Sequence, residues 1–408
     1  MTVLTSSSAD HAVLRSVDVP RSARAVLALL QRLPHGSLSL VCPDGQVLRF
    51  GPDPRPHASL TLHSWAPLQA AMRSGDIGFA EGYIDGQWST PNLVELLQLL
   101  ARNRNALEHV IYGRWLGRLA YVLRHWRHRN TRTNSAKNIH AHYDLGNAFY
   151  RLWLDETMNY SSALFQGDLT QPLAQAQRAK VQRALQAAGV KAGHRVLEIG
   201  CGWGALAEQA TAIWGARVTG ITLSTEQLAY AQARLARLGR EADLRLQDYR
   251  DVTDAPFDAI CSIEMVEAVG QAFWPTYFRT VARLLKPGGR ACVQSIVIDD
   301  ALFARYLKGS DFIQQYVFPG GCLPSPSAFR AQARAAGLNV IDEFAFGCDY
   351  AETLRRWHEG FRAQQDAVLA LGFDERFIRT WEFYLAYCQA AFLERNIDVV
   401  QFTLHKPT

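Results

Sequence analysis

The segment RVLEIGCGWGALAEQA, Arg195 to Ala210, sets three glycines at alternate positions between an apolar run and a helix-forming run. Val196, Leu197 and Ile199 have the continuous apolar character of a buried parallel strand. Gly200, Gly202 and Gly204 remove side chains where strand turns to helix, so a ligand can approach the backbone there. Dinucleotides, nucleotides and S-adenosylmethionine (SAM) are all bound by turns of this kind. Two features favour SAM. Glu198, two residues before the first glycine, is placed to meet a ligand's ammonium group. The next strand, RVTGITLS (217–224), lacks the terminal acid that a nucleotide fold sets on the ribose. It ends instead in Thr222, Leu223 and Ser224, with Gln227 close behind, a supply of hydroxyl and amide contacts.

A glycine turn needs a sheet to hold it. Strand candidates at 195–199, 217–222, 243–247, 257–263, 290–298, 339–346 and 398–405 alternate with helical runs. That pattern predicts an α/β fold, a doubly wound, mostly parallel sheet with ligand at the carboxyl ends of its strands. Residues 1–100 mix short strand-like runs (SLSLVCPDGQVLRFG, HASLTLHSW) with helical ones such as NLVELLQLLARN, and predict a smaller α+β domain. A chain of 408 residues accommodates both. We divide it into an N-terminal domain, 1–125, a polar linker, 126–141, and a catalytic domain, 142–408.

The net charge of +5 is unevenly spread: residues 101–137 carry nine Lys or Arg against Glu108 alone. Ile111, Trp115, Leu116, Leu119, Val122, Leu123 and Trp126 share one helical arc, and Arg114, Arg118, Arg124 and Arg127 fall outside it. This amphipathic basic helix suits anionic lipid headgroups or RNA, or joins two domains with its arginines solvated. No RNA-binding module accompanies it, so nucleic acid is not expected. The sequence has no run of eighteen apolar residues, and MTVLTSSSADHAVLRSVDVP lacks the apolar stretch of a signal peptide. Seven scattered cysteines without CxxC or zinc spacing suggest reduced thiols in the cytoplasm and no metal.

Six motifs in order, HYDLGNAFYRLWLDETMNYSSALF (142–165), VLEIGCGWGALA, VTGITLSTEQ, LQDYRDV, SIEMVEAVG and YVFPGGCLPS, resemble the cyclopropane-fatty-acyl-phospholipid synthases, a SAM-dependent family that includes the mycolic acid cyclopropane synthases. The resemblance spans roughly 142–408, and more loosely the first 141 residues. It implies a seven-stranded, Rossmann-like SAM-dependent methyltransferase domain behind a lipid-engaging N-terminal one. Tyr160 and Ser161 match the pair that closes over the SAM methionine end. Gly200, Cys201 and Gly202 match the glycine turn. Thr222, Leu223, Ser224, Thr225, Glu226 and Gln227 match the ribose and adenine segment, and Tyr249 and Arg250 flank the adenine.

The implied reaction transfers the SAM methyl to a cis double bond of a phospholipid acyl chain, and a base then removes a proton from the new methyl as a cyclopropane closes. An alkene is a weak nucleophile, so it must be held against the methyl. The cation it leaves calls for anions and aromatic faces. In the family the base is bound bicarbonate; Glu267 matches the glutamate near it, Tyr350 its tyrosine, and Ile296 a residue contributing backbone. Cys388 matches an active-site cysteine of the family, read here as a packed thiol near the pocket.

Two positions depart from the pattern: Ser162 stands for a cysteine, and Gln294 for a histidine. Glutamine still donates hydrogen bonds but carries no positive charge. Weaker bicarbonate binding is therefore expected, and ring closure is less secure than methyl transfer. The alternative product is a methyl-branched or methylated unsaturated chain. Small-amine methylation and a non-catalytic lipid-binding role are the competing readings. The basic segment argues against the first, and retention of Glu198, Gln227, Glu267 and Tyr350 against the second. Peripheral association with the inner face of an anionic membrane and a homodimer complete the expectations.

Overall fold

The structure is a computed structural model that describes residues 19–52, 57–107 and 145–408. The basic segment at 111–126 and the linker at 126–141 lie outside the described residues.

Two sheets organise the chain. The first has the order β2-β1-β3-β4, with β1 Ser37–Val41, β2 Val47–Phe50, β3 His57–Leu62 and β4 Trp88–Ser89. Here β1 pairs antiparallel with β2 and parallel with β3. Its alternating residues Leu38, Leu40, Leu48, Phe50, Leu60 and Leu62 are buried, as the period-two pattern of a half-buried strand requires. Helices Arg21–Leu30, Ala66–Ser74, Asp76–Ile84 and Leu93–Arg102 accompany this sheet and complete the expected α+β unit.

The second sheet has seven strands in the order β10-β11-β9-β8-β5-β6-β7. These are β5 Arg195–Ile199, β6 Arg217–Thr222, β7 Asp243–Leu246, β8 Phe257–Ile263, β9 Leu285–Ile298, β10 Asn339–Ala345 and β11 Ile397–His405. Strands β5 to β9 pair in parallel, whereas β11 runs antiparallel to β9 and β10. All seven predicted strands are present. β9 begins five residues earlier than the reading at 290, because Leu285 pairs with Phe257 before the register shifts at Ala259. The chain leaves β5 toward β6 and β7, then crosses back to β8 on the other side of β5. The carboxyl ends of β5 and β8 are thus the switch point where such sheets bind ligands.

The two units share one apolar core. It runs from Leu27, Leu40 and Leu96 to Trp357, Phe383 and Phe392 on helices Gly347–Ala363 and Glu375–Leu393. Polar contacts tie the same boundary: Arg102 pairs with Glu394 at 2.7 Å, and Tyr387 donates to Asp76 at 3.0 Å. Among the described residues no helix is long and apolar enough to cross a membrane.

Candidate active site

Two cavities meet at the switch point. The smaller, about 110 Å³, opens between the ends of β5 and β6 and is lined by Tyr160, Ser161, Glu198, Gly200, Cys201, Gly202, Thr222, Leu223, Gln227 and Tyr249. Gly202 has φ +48° and no atom within 4 Å of where its Cβ would stand, so its open side is the cavity itself. Helix Ala205–Ala212 begins immediately after the turn and aims its N-terminus at this space.

At the base of the cavity lies Glu198. Burial pushes its carboxyl up to about 8, and its Oε2 has no hydrogen-bond partner. A buried acceptor left open at the wall of a cavity matches a ligand carrying an ammonium group. These residues therefore fit the amino-acid end of SAM. Ser224 caps helix Thr225–Arg237 by accepting from Gln227 N, and Thr222 Oγ1 donates to Gln227 Oε1 at 2.9 Å, which fixes the far rim.

Not every sequence candidate reaches this cavity. Ser224 is committed to the cap and is not among the lining residues, and Thr225 and Glu226 are exposed on the helix's outer side. Arg250 instead pairs with Asp248 at 2.5 Å and lies over the Tyr249 ring. Cys201 faces the cavity as a neutral thiol, since burial pushes its pKa up.

The larger cavity, about 390 Å³, extends from the switch point into the N-terminal unit. Leu30, Leu38, Leu60, Leu68, Leu96 and Leu97 line one part of it, and Glu264, Glu267, Ile296, Tyr350 and Cys388 another. Tyr160, Glu264 and Met265 border both cavities, so that is where their contents would meet. Tyr160 stands in an aromatic box, with ring centroids 5.4 Å from Tyr150 and 5.5 Å from Trp153 and Trp357, and its hydroxyl is 2.8 Å from that of Tyr384. Such faces stabilise a nearby cation.

The decisive feature is a residue the sequence reading passed over. Glu264 Oε1 accepts from Ser162 N at 2.9 Å and from Gln294 Nε2 at 2.8 Å, and its Oε2 accepts from the Tyr350 hydroxyl at 2.7 Å. Ser162, Gln294 and Tyr350 are positions that the resemblance assigns to the bicarbonate site. Here their donors hold a carboxylate belonging to the chain. Ser162 and Gln294 are fully buried and reach the cavity only through Glu264. Glu264 has φ +52°, a left-handed conformation that costs a side-chain-bearing residue about 1–2 kcal/mol. A glycine would relax that strain, so a glutamate there is explained by its carboxylate.

Glu267 follows one turn later. Its Oε1 accepts from Ile296 N, while its Oε2 is buried without a partner. Burial, reinforced by the Glu264 charge, pushes its carboxyl up to about 8. Burial raises Glu264 too, but the Ser162 amide, the Lys180 charge, Tyr350 and Gln294 all oppose that rise. Both carboxyls are thus raised by burial, and Glu264 alone is opposed by the Lys180 charge and by donors from three separate segments. Lys180, also absent from the sequence reading, is fully buried, with Nζ 2.5 Å from Ser161 Oγ and 3.3 Å from Asn159 Oδ1. Cys388 lines the large cavity with its thiol held protonated by burial and the Asp311 charge.

The signal for Glu264 was present in SIEMVEAVG: two glutamates three residues apart, directly after a strand whose carboxyl end faces the switch point.

This fold, with its glycine turn and open buried acid, is that of a SAM-dependent methyltransferase, and comparison with known proteins carries the assignment further. Residues 130–402 match the family model described as mycolic acid cyclopropane synthetase, and the chain belongs to that family. It is 40% identical over 403 residues to the tuberculostearic acid methyltransferase UfaA1 of Mycobacterium tuberculosis, covering 95% of this chain and 93% of that one. It is 33% identical over 377 residues to the cyclopropane-fatty-acyl-phospholipid synthase of Escherichia coli, covering 88% and 93%. A crystal structure of the mycolic acid cyclopropane synthase CmaA1 complexed with SAH and CTAB is 34% identical with a TM-score of 0.62, and covers 66% of this chain and 98% of that one.

Proposed function

We propose that this enzyme methylates a cis double bond of an unsaturated phospholipid acyl chain and that Glu264, in place of bicarbonate, takes up the proton released. The observation that carries this reading is the Glu264 carboxylate, clamped by the donors of Ser162, Gln294 and Tyr350 at the border of the two cavities. The apolar walls of the large cavity supply the class of substrate, a long hydrocarbon chain.

SAM, when bound at Glu198 and the glycine turn, supplies an electrophilic methyl group. The Tyr160 box and the Glu264 charge stabilise the positive charge left on the adjacent alkene carbon. Three hydrogen bonds fix the Glu264 carboxylate in place, and a hydride shifts to that cation from the methyl-bearing carbon before the proton is lost. The charge is then tertiary. Glu264 accepts a proton from the new methyl, and the C–H electrons become a carbon–carbon double bond, which leaves a methylene-branched chain with no reductant required. Glu267, whose carboxyl burial and the Glu264 charge push up, is biased toward its neutral form and competes less for that proton.

Cyclopropane formation is the second reading, favoured by the presence of Glu267, Tyr350 and Ile296 at the matching positions; there the same proton leaves as the ring closes. Mass spectrometry of lipids from an unsaturated-lipid host decides between them. Both products gain one CH2, but only a methylene-branched chain takes up two deuterium atoms on mild catalytic deuteration. A product inert to deuteration would overturn the first reading, and an unchanged lipid profile would overturn both.

The net positive segment around residues 101–137 supports action at the anionic inner face of a membrane, with the enzyme otherwise cytoplasmic and homodimeric. Salt-sensitive binding to anionic vesicles, lost on charge reversal at Arg114 and Arg118 with SAM affinity unchanged, is the expected outcome. Equal partitioning of parent and variant would contradict it.

A further inference from the structure

Behind Gln294 a line of polar side chains crosses an otherwise apolar sheet. Gln401 on β11 stands directly opposite Gln294 on β9, and both side chains are fully buried. Gln401 Nε2 donates to Gln294 Oε1 at 3.0 Å and to the Lys180 carbonyl at 3.2 Å. Gln401 Oε1 accepts from Arg183 Nη1 at 2.8 Å. Arg183 lies with its guanidinium 3.8 Å from the Phe344 ring centroid and pairs at 3.0 Å with Asp342, a half-exposed acid on the edge strand β10. The line thus runs from solvent to Glu264 without a gap.

Its direction is fixed at both ends. A guanidinium only donates and a backbone carbonyl only accepts, so Arg183 and the Lys180 carbonyl allow the Gln401 amide one orientation. That orientation presents an N–H to Gln294, which must answer with its carbonyl and so turn its own NH2 toward Glu264. An amide without that second anchor can flip and offer Glu264 a carbonyl oxygen, from which a carboxylate cannot accept.

We infer that Arg183 and Gln401 are positioning residues that, through Gln294, keep a hydrogen-bond donor on Glu264 and so hold it ready as the base of the reaction. The inference rests on the reading of Glu264 as that base. It also accounts for two buried glutamines facing each other in a sheet core, where apolar residues would pack without the need for partners.

The consequence is a pH effect of definite sign. Glu264 must be ionised to accept a proton. The groups that face it are Lys180 from helix Leu173–Ala187, Tyr350 from helix Gly347–Ala363 and Glu267 from the turn after β8, with Glu198 of β5 and Asp155 acting on Lys180 from behind. Substitution at Arg183 or Gln401 removes none of these groups, and Arg183→Leu also leaves the contact of Gln401 with the Lys180 carbonyl in place. Losing the oriented donor favours the protonated form, so turnover should fall on the acidic side of the profile and persist on the alkaline side.

The test is the pH dependence of kcat for Arg183→Leu and Gln401→Leu, with Arg183→Lys as the conservative control and Glu264→Gln beside them. Both leucine variants should lose about tenfold or more at the acidic end and less than about twofold on the alkaline plateau. SAM affinity by calorimetry should not change, and Arg183→Lys should follow the parent. Arg183 is partly exposed, so its leucine variant carries the test even where the buried Gln401→Leu fails to fold. A uniform loss across pH, or a parental profile in Arg183→Leu, overturns the relay. If Glu264→Gln keeps parental turnover, the base assignment itself fails. If Glu264→Gln is inactive while Arg183→Leu keeps the parental profile, the relay alone is wrong.

Discussion

Glu264 and Glu267 lie one turn apart on the same short segment, yet their surroundings differ. The first has a backbone amide, a side-chain amide and a phenol donating to it. The second has one backbone amide and a bare buried oxygen. A consequence for stability follows from Glu267. Its folded carboxyl, raised by burial to about 8 from a usual 4.5, keeps a proton that the unfolded chain releases. Its contribution is therefore complete below about pH 4.5 and is lost progressively as pH rises toward 8. Glu267→Gln removes that loss. Denaturant midpoints of the variant should change less between pH 5 and pH 8 than those of the parent, and the variant should gain most at pH 8. Parallel profiles would mean that Glu267 is already ionised at neutral pH.

At the scale of elements, the turn between β5 and helix Ala205–Ala212 does what its spacing predicts. A side chain at Gly202 would project into the cofactor cavity from a left-handed backbone. Gly202→Val should abolish SAM binding in calorimetry while the protein stays folded, because the valine meets no protein atom but fills ligand space and adds strain. A folded variant with parental SAM affinity would remove this loop from the site. The same comparison shows what was legible in the sequence. Apolar runs and glycine spacing gave all seven strands of the large sheet and the turn, since each is a local pattern. The motif SIEMVEAVG marks Glu264 as a second acid after β8, but not what holds it. Its partners lie 30, 86 and 102 residues distant, on β9, on helix Gly347–Ala363 and at Ser162, and only the packed sheet brings them together. Lys180 carries no local signal either, since its burial beside Ser161 and Asn159 comes from packing between distant segments. Thr225, Glu226 and Arg250 came with a motif whose neighbours, Thr222, Leu223 and Gln227, do line the cavity.

Across the whole molecule, one apolar cavity joins the N-terminal unit to the reaction site, and one apolar core holds the two units together. The solved CmaA1 structure covers 98% of its own length with 66% of this chain, so a third of the present protein has no counterpart there. Leu30, Leu38 and Leu60 of the N-terminal unit wall the cavity, so the acyl-chain site proposed above takes in that unit. Everything in the proposed chemistry, however, turns on a base supplied by the chain itself. The most direct measurement is product formation from unsaturated phospholipid vesicles by the parent and by Glu264→Gly, with bicarbonate removed and then restored. Glycine relieves the left-handed strain at this position and leaves the donors of Ser162, Gln294 and Tyr350 around a space the size of a carboxylate. The parent should be indifferent to bicarbonate. The variant should lose about a hundredfold without it, the scale of a missing general base, and recover in part when it is added. A parent that depends on bicarbonate, with a glycine variant of equal activity, would contradict the assignment of Glu264.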